Sequence, residues 1–127
     1  MSAHKNIAVV TRAYEAFNAS DDEALLELLD PDIEFRDLPE LPGSGVFYGH
    51  DEILGWIDAI RESFSDLRYE PEEIRADGED DVVVRTRATG LGKGSGAMVE
   101  MRFISVWTVR DGRVVAHVAH GDESGVG

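Results

Sequence analysis

Apolar residues recur along this chain with two periods, first helical and then alternating. In "NIAVVTRAYEAFNASD", Ile7, Val10, Tyr14 and Phe17 fall at helical spacing and make one stripe, which predicts a helix. "NASD" stops it, and Ser20 or Asp21 can cap a second helix, "DEALLELLD", whose leucines at 25, 26, 28 and 29 cover a wide face. Pro31 is expected to end that helix. "DIEFRDL" then predicts a short strand with Ile33, Phe35 and Asp37 on one side. "PELPGSGVFYG" reads as a loop. "HDEILGWIDAIRESFSD" predicts a third helix, buried through Ile53, Ile57, Ile60 and Phe64 with Trp56 beside them.

From there the period changes to two. "LRYEPEEIRADG", "DDVVVRTRATG", "GAMVEMRFISVWTVR" and "GRVVAHVAHGD" predict four strands joined by turn residues. Helices first and a run of strands after them imply an α+β domain, an antiparallel sheet with helices against one face. Pairing the strands across "LGKGSG" puts Val82, Val84, Thr86 and Ala88 on the same side as Val99, Met101, Phe103, Ser105 and Trp107. That mostly apolar side should face the helices. The other side carries Arg85, Arg87, Glu100 and Arg102, and Arg87 is expected to stand opposite Glu100 as a cross-strand ion pair.

Composition narrows the functions available. The 127 residues suit one domain with one core. There is no Cys, so thiolate chemistry and disulfides are excluded. With 26 acids against 12 bases the formal charge is −14, a surface that repels phosphate backbones and anionic lipid, so neither nucleic acid nor membrane is an expected partner. "MSAHKNIAVV" has no apolar signal region, which makes the cytoplasm the default location. "GLGKGSG" lacks the spacing of a phosphate loop and joins two strands, and no cluster of ligating side chains has metal-site spacing. No metal and no cofactor are expected.

The order helix, helix, short strand, loop, helix, four strands resembles the nuclear transport factor 2-like superfamily, in its SnoaL-like and ketosteroid isomerase-like branch. "YEAFNASDDEALLELLDPDIEF", "FYGHDEILGWI" and "VWTVRDGRVV" carry the resemblance, which covers nearly the whole chain as a single domain, 1–127. It implies a cone-shaped α+β barrel: a curved, mainly antiparallel sheet wrapped around an apolar pocket that three helices roof. It also implies a homodimer packed through the outer sheet face, where Ile104 and Val106 interrupt the charge. Members include isomerases, polyketide cyclases, epoxide hydrolases and dehydratases. The steroid isomerases carry their general base just after the first strand, where Asp37 stands. Their helical tyrosine would align with Ala13, one residue before Tyr14, and their protonated aspartate with Ser105. The acid that the cyclases and epoxide hydrolases place on the last strand corresponds to Ala119. The resemblance therefore implies a retained base without the usual oxyanion pair.

Two candidate catalytic residues follow. Asp37 continues an inward alternation, so its carboxylate points where an apolar residue would cost less, just before a Pro-rich segment expected to form the rim of the pocket. In such a site its pKa should rise toward the range useful for proton abstraction. The alternative is a carboxylate that only caps the "LPELPG" turn. On the last strand, a two-residue Asp-Gly hairpin at "RDGR" would turn His120 inward, whereas a three-residue loop with left-handed Gly112 turns His117 and Ala119 inward, with His117 near Ser105. The resemblance favours His117. Tyr14, Phe17, Trp56, Met101, Phe103, Ser105 and Trp107 are the candidate lining, and Phe47 and Tyr48 could gate the mouth or serve a dimer.

Three functions fit these residues. One is a small cofactor-independent enzyme moving a proton on a hydrophobic or cyclic small molecule, as isomerase, dehydratase or cyclase. Another is a non-catalytic carrier of an apolar ligand. The third is a dimeric interaction domain of the same fold.

Overall fold

A computed structural model of the chain describes residues 3–38 and 45–121. Helix α1 (Ala3–Asn18) is followed by α2 (Asp22–Leu28), strand β1 (Leu29–Arg36), strand β2 (Val46–Tyr48), helix α3 (Gly49–Ser63), and strands β3 (Phe64–Asp77), β4 (Asp81–Gly92), β5 (Met98–Arg110) and β6 (Arg113–His120). The six strands form one sheet in the order β2-β1-β6-β5-β4-β3. All neighbours are antiparallel except β1 and β6, which run parallel. The sheet is thus mixed, and its end strands do not pair, so it wraps the core without closing into a barrel. No helix among the described residues is long and apolar enough to cross a membrane.

The helices form for the expected reasons. Asp21 caps α2, its Oδ1 accepting the Ala24 N–H at 3.1 Å. Helix α1 buries Val9, Val10, Ala13 and Tyr14, and α3 buries Ile53 and Ile57. Two amide side chains fasten α1 to the sheet. Asn6 Nδ2 donates to the Glu79 carbonyl at 2.8 Å, and Asn18 exchanges two 2.8 Å hydrogen bonds with the backbone N–H and carbonyl of Tyr69. They grip the helix at both ends and fix it across β3.

Three boundaries differ from expectation. Helix α2 ends before Leu29, which is already in β1, so Pro31 interrupts a strand rather than ending a helix. The β1–β6 register is irregular between Leu29 and Glu34, and this accommodates a residue with no N–H to give. Phe47 and Tyr48 lie in an edge strand, not a loop; three residues of alternation were too few to signal it. Phe64 opens β3 instead of closing α3.

The β4–β5 faces are as expected: Val82 pairs with Trp107, Val84 with Ser105, Thr86 with Phe103 and Ala88 with Met101. On the outer face Arg87 stands opposite Arg102, not Glu100, and reaches Glu100 diagonally at 2.8 Å. Glu72, Arg102 and Arg85 with Glu73 extend this exposed ladder of alternating charge. Ile104 lies on this outer face opposite Arg85, as expected, but is already buried within the chain.

The β5–β6 hairpin resolves the histidine question in an unexpected way. Arg110 pairs with Arg113, and Asp111 and Gly112 have φ of 52° and 79°, so the turn is the two-residue type that needs two positive φ values. Alone, that turn would aim His120 inward. The register then slips, Val109 pairing with Val114 but Thr108 with Ala116. This β-bulge inserts one residue and reverses the faces beyond it. His117 therefore pairs with Trp107 and Ala119 with Ser105, both inward, while His120 joins the outer face opposite Ile104.

Gly112→Ala should lower stability by about 1 kcal/mol, the cost of a Cβ in the left-handed region. Gly94→Ala, where no atom lies within 4 Å of the new carbon, should not. Urea unfolding of the two variants checks this.

Candidate active site

Beneath the helices lie two neighbouring cavities. The inner one has about 60 Å3 of free volume and is lined by α1, α2, α3 and the inward sheet face. The outer chamber has about 410 Å3 and is walled by the end of α3 and by β3, β4 and β5. Asp37, Trp56, Tyr69 and Phe103 border both, and the boundary they share is called the neck below. Tyr14, Phe17, Trp56, Phe103, Ser105, Trp107, Asp37 and His117 all line the inner cavity; Met101 lines only the outer one.

Asp37 directly follows β1. Its Oδ2 accepts the Trp56 indole N–H at 3.0 Å, and its Oδ1 accepts the Leu38 N–H at 2.8 Å. The carboxylate therefore both caps the local backbone and faces the neck. Its own N–H donates to the Gly45 carbonyl at 3.2 Å. The expected rim, "PELPGS", lies outside the described residues.

His117 is 3% exposed, and its Nε2 shares a 3.0 Å hydrogen bond with Ser105 Oγ. The parallel β1–β6 pairing sets Phe35 beside it, and the rings stack at 4.1 Å with 13° between planes. Trp107 closes another side at 4.3 Å. Burial among these rings disfavours the imidazolium and pushes the pKa down to about 3; the Arg36 backbone opposes the fall slightly, and His120 adds to it. Although the Arg36 backbone is close enough to exert that influence, Nδ1 is sealed without a hydrogen-bond partner of proper geometry. His117 is thus a neutral imidazole at physiological pH. An aromatic path leads from it to the acid: Phe35 packs on Trp56 at 4.8 Å, and Trp56 holds Asp37.

Tyr14 lines the cavity with its ring, but its hydroxyl is engaged. It lies 2.7 Å from Thr86 Oγ1 and accepts the Trp107 indole N–H at 3.3 Å. Burial raises its pKa, with hydrogen bonds from Thr86, Trp107 and Ser105 opposing. Phe47 packs toward Trp56, and Tyr48 is exposed and donates to Glu34 at 3.3 Å; neither lines either of these two cavities. Among the described residues no three His, Asp or Glu side chains converge as metal ligands would.

One neck residue escaped the sequence reading. Tyr69 points inward beside Ala88, but a bulge between Pro71 and Glu73 breaks the alternation of β3. The run "EPEE" hid the strand's buried face. Only the Leu67–Tyr69 spacing carried a signal.

Residues 10–117 match the SnoaL-like domain. The chain belongs to the SnoaL-like family. Among solved structures, an NTF2-like protein of unknown function from Burkholderia pseudomallei K96243 is 27% identical, with 98% of this chain and 95% of that one covered and a TM-score of 0.82. An NTF2-like protein from Burkholderia xenovorans LB400 is 28% identical, covering 96% and 92%, also at 0.82. TerC, co-crystallised with polyporic acid, is 26% identical, covering 95% and 94%, at 0.81. No curated protein matches the chain. The SnoaL-like cone fold inferred from element order is thereby established, as three helices on an open six-stranded mixed sheet.

Because His117 folds neutral, the unfolded chain binds its proton more readily below pH 6.5. The contribution to stability is complete above pH 6.5, falls by about 1.4 kcal/mol per unit as the pH drops, and levels off near pH 3. Urea midpoints between pH 6.5 and 4 should therefore fall more steeply for the wild type than for His117→Gln. Equal slopes would mean that the imidazole is charged or solvated.

Proposed function

We propose that this SnoaL-like protein is a cofactor-independent enzyme that moves a proton on an apolar, cyclic small molecule. The observation that carries the reading is the position of Asp37. A carboxylate stands at the neck that two neighbouring, largely apolar cavities share, lining both and fixed by an indole N–H. The two hydrogen bonds it accepts leave further lone pairs for a substrate proton. The inner cavity is too small for a ring system, and the outer chamber falls in the range of small-molecule sites. The body of the substrate accordingly lies in the outer chamber with its reacting edge at the neck.

His117 serves this reading as a support rather than as a second proton-transfer group. A neutral imidazole bonded to Ser105 orients that hydroxyl and gives the inner cavity a polar floor. Asp37 then works as the base that takes and returns the proton. Isomerisation, dehydration and cyclisation each use such a step.

A carrier function is the second reading. It is favoured by Ser105 and Ala119, which stand where relatives of this fold place acids. The polyporic acid bound by TerC supports a small-molecule ligand in either case.

The experiment uses 2-tetralone, an apolar cyclic ketone with acidic C–H bonds, in D2O. Wild-type protein should accelerate deuterium incorporation beside the carbonyl, read by proton NMR. Asp37→Asn should reduce that acceleration by roughly 10²–10⁴-fold, the usual worth of a positioned base. The Asn carbonyl still accepts from Trp56, so the fold should survive. Binding without accelerated exchange, seen as quenching of Trp56 and Trp107, would leave the carrier reading in place.

A further inference from the structure

We infer that the neck is a binding site for an organic cation, a tertiary or quaternary ammonium with an apolar body, held by the Asp37 carboxylate and by the rings of Trp56, Tyr69 and Phe103.

Three observations carry this, and none requires the proton-transfer reading. The first is what meets at the neck. One carboxylic acid and three aromatic side chains border both cavities. The face of an aromatic ring is electrically negative, so it attracts a cation within about 6 Å of its centroid, and Trp does so most strongly. A carboxylate attracts the same charge. Together the four side chains favour a positive group whose surface is apolar.

The second is how they are held. The Trp56 indole N–H donates to Asp37 at 3.0 Å, which locks ring and carboxylate into one unit. Phe35 packs on that indole at 4.8 Å. Tyr69 and Phe103, from β3 and β5, meet edge-on at 6.0 Å, and Phe17 packs on Tyr69 at 4.9 Å. The N–H groups that Asp37 accepts, from Trp56 and the Leu38 backbone, are both neutral, and they leave lone pairs for a cationic partner. Burial, and after it the charge of Asp37, raise the pKa of the Tyr69 phenol, so the field of the carboxylate reaches that ring.

The third is an arrangement of the same kind one residue away. The Arg61 guanidinium pairs with Asp22 at 3.0 Å and stands 5.4 Å from the centroid of the Phe17 ring. Phe17 is the ring that packs on Tyr69. There the chain supplies cation, carboxylate and ring together. At the neck the cation is the guest.

The class of cation follows from hydration. A metal ion or a primary ammonium is strongly hydrated and loses that hydration on entering an apolar chamber. Alkyl groups on the nitrogen weaken the hydration and match walls such as Ile60, Phe64 and Met101. The outer chamber, about 410 Å3, has room for the body of such a molecule. The formal charge of −14 draws cations of every kind toward the surface, which speeds arrival without selecting among them.

The test uses benzyltrimethylammonium and neopentylbenzene, which have the same shape with carbon in place of the charged nitrogen. Each is titrated into wild type, Asp37→Asn and Phe103→Leu at about 0.15 M salt, where screening suppresses loose association with surface acids. The indole N–H resonance of Trp56, followed by NMR, reports occupancy of the neck. The cation should shift it in wild type. Asp37→Asn should weaken the cation by roughly tenfold or more and leave the hydrocarbon unchanged. Phe103→Leu should weaken the cation about fivefold more than the hydrocarbon, the worth of one cation–π contact; Tyr69→Leu serves where that variant does not fold. A Trp56 resonance that the cation does not move overturns the inference. So does undiminished cation binding by Asp37→Asn, which would place the guest on surface acids. Equal losses for both probes would mark a cavity indifferent to charge, and a loss confined to Asp37→Asn would mark ion pairing without the rings; either overturns it as well. Exchange of tetralone is a separate measurement, and its failure leaves cation binding standing.

Discussion

The pocket depends on one inserted residue in the β5–β6 hairpin. A two-residue turn leads into β6, and without the bulge that follows, each residue beyond it would change faces. His120 would enter the core in place of His117, and Ala119 would give way to Val118 opposite Ser105. β6 also sits between β5 and the parallel strand β1, so its register decides what lies beside Phe35. The stacking of Phe35 on His117, and through Trp56 the setting of Asp37, both follow from that placement.

This hairpin also marks where the sequence can be read and where it cannot. Helical stripes such as Val10–Tyr14–Phe17 and long alternations such as Val82–Val84–Thr86 state their faces plainly, because a buried face selects residues at every turn or every second position. The lining of the inner cavity followed from those faces. Bulges leave no such mark. The one beyond "RDGR" has no special residue, so two wrong arguments were open: the turn type was misjudged in the reading that aimed His117 inward, and the bulge was missing from the one that judged the turn correctly. The bulge after Pro71 hid Tyr69 in the same way. The three-residue strand β2 is too short to show a period, and it forms because β1 offers it an edge. Diagonal pairing of Arg87 with Glu100 reflects the reach of long side chains, which register alone does not fix.

The site places its polar groups so that most carry no net charge. His117 is held neutral by burial, and Tyr14 and Tyr69 are pushed away from ionisation. Ser105 and Thr86 bring only hydroxyls. The Asp37 carboxyl group sits apart from them, at the half-buried neck with two N–H groups directed at it, rather than in the sealed floor. Desolvation explains that arrangement: an ionised carboxylate deep among Phe35, Trp107 and His117 would have no partner to offset its lost hydration.

The unequal division of space between the cavities also separates two properties under mutation. Residues such as Ile60, Phe64, Val99 and Met101 border the outer chamber and not the inner one, while Asp37 and Tyr69 stand at the neck. Exchanging the former reshapes what the chamber admits without moving the latter, whose positions are set by α1, α3 and β1. A lineage carrying this scaffold can thus drift from one guest molecule to another by altering one wall while the polar groups at the boundary keep their places.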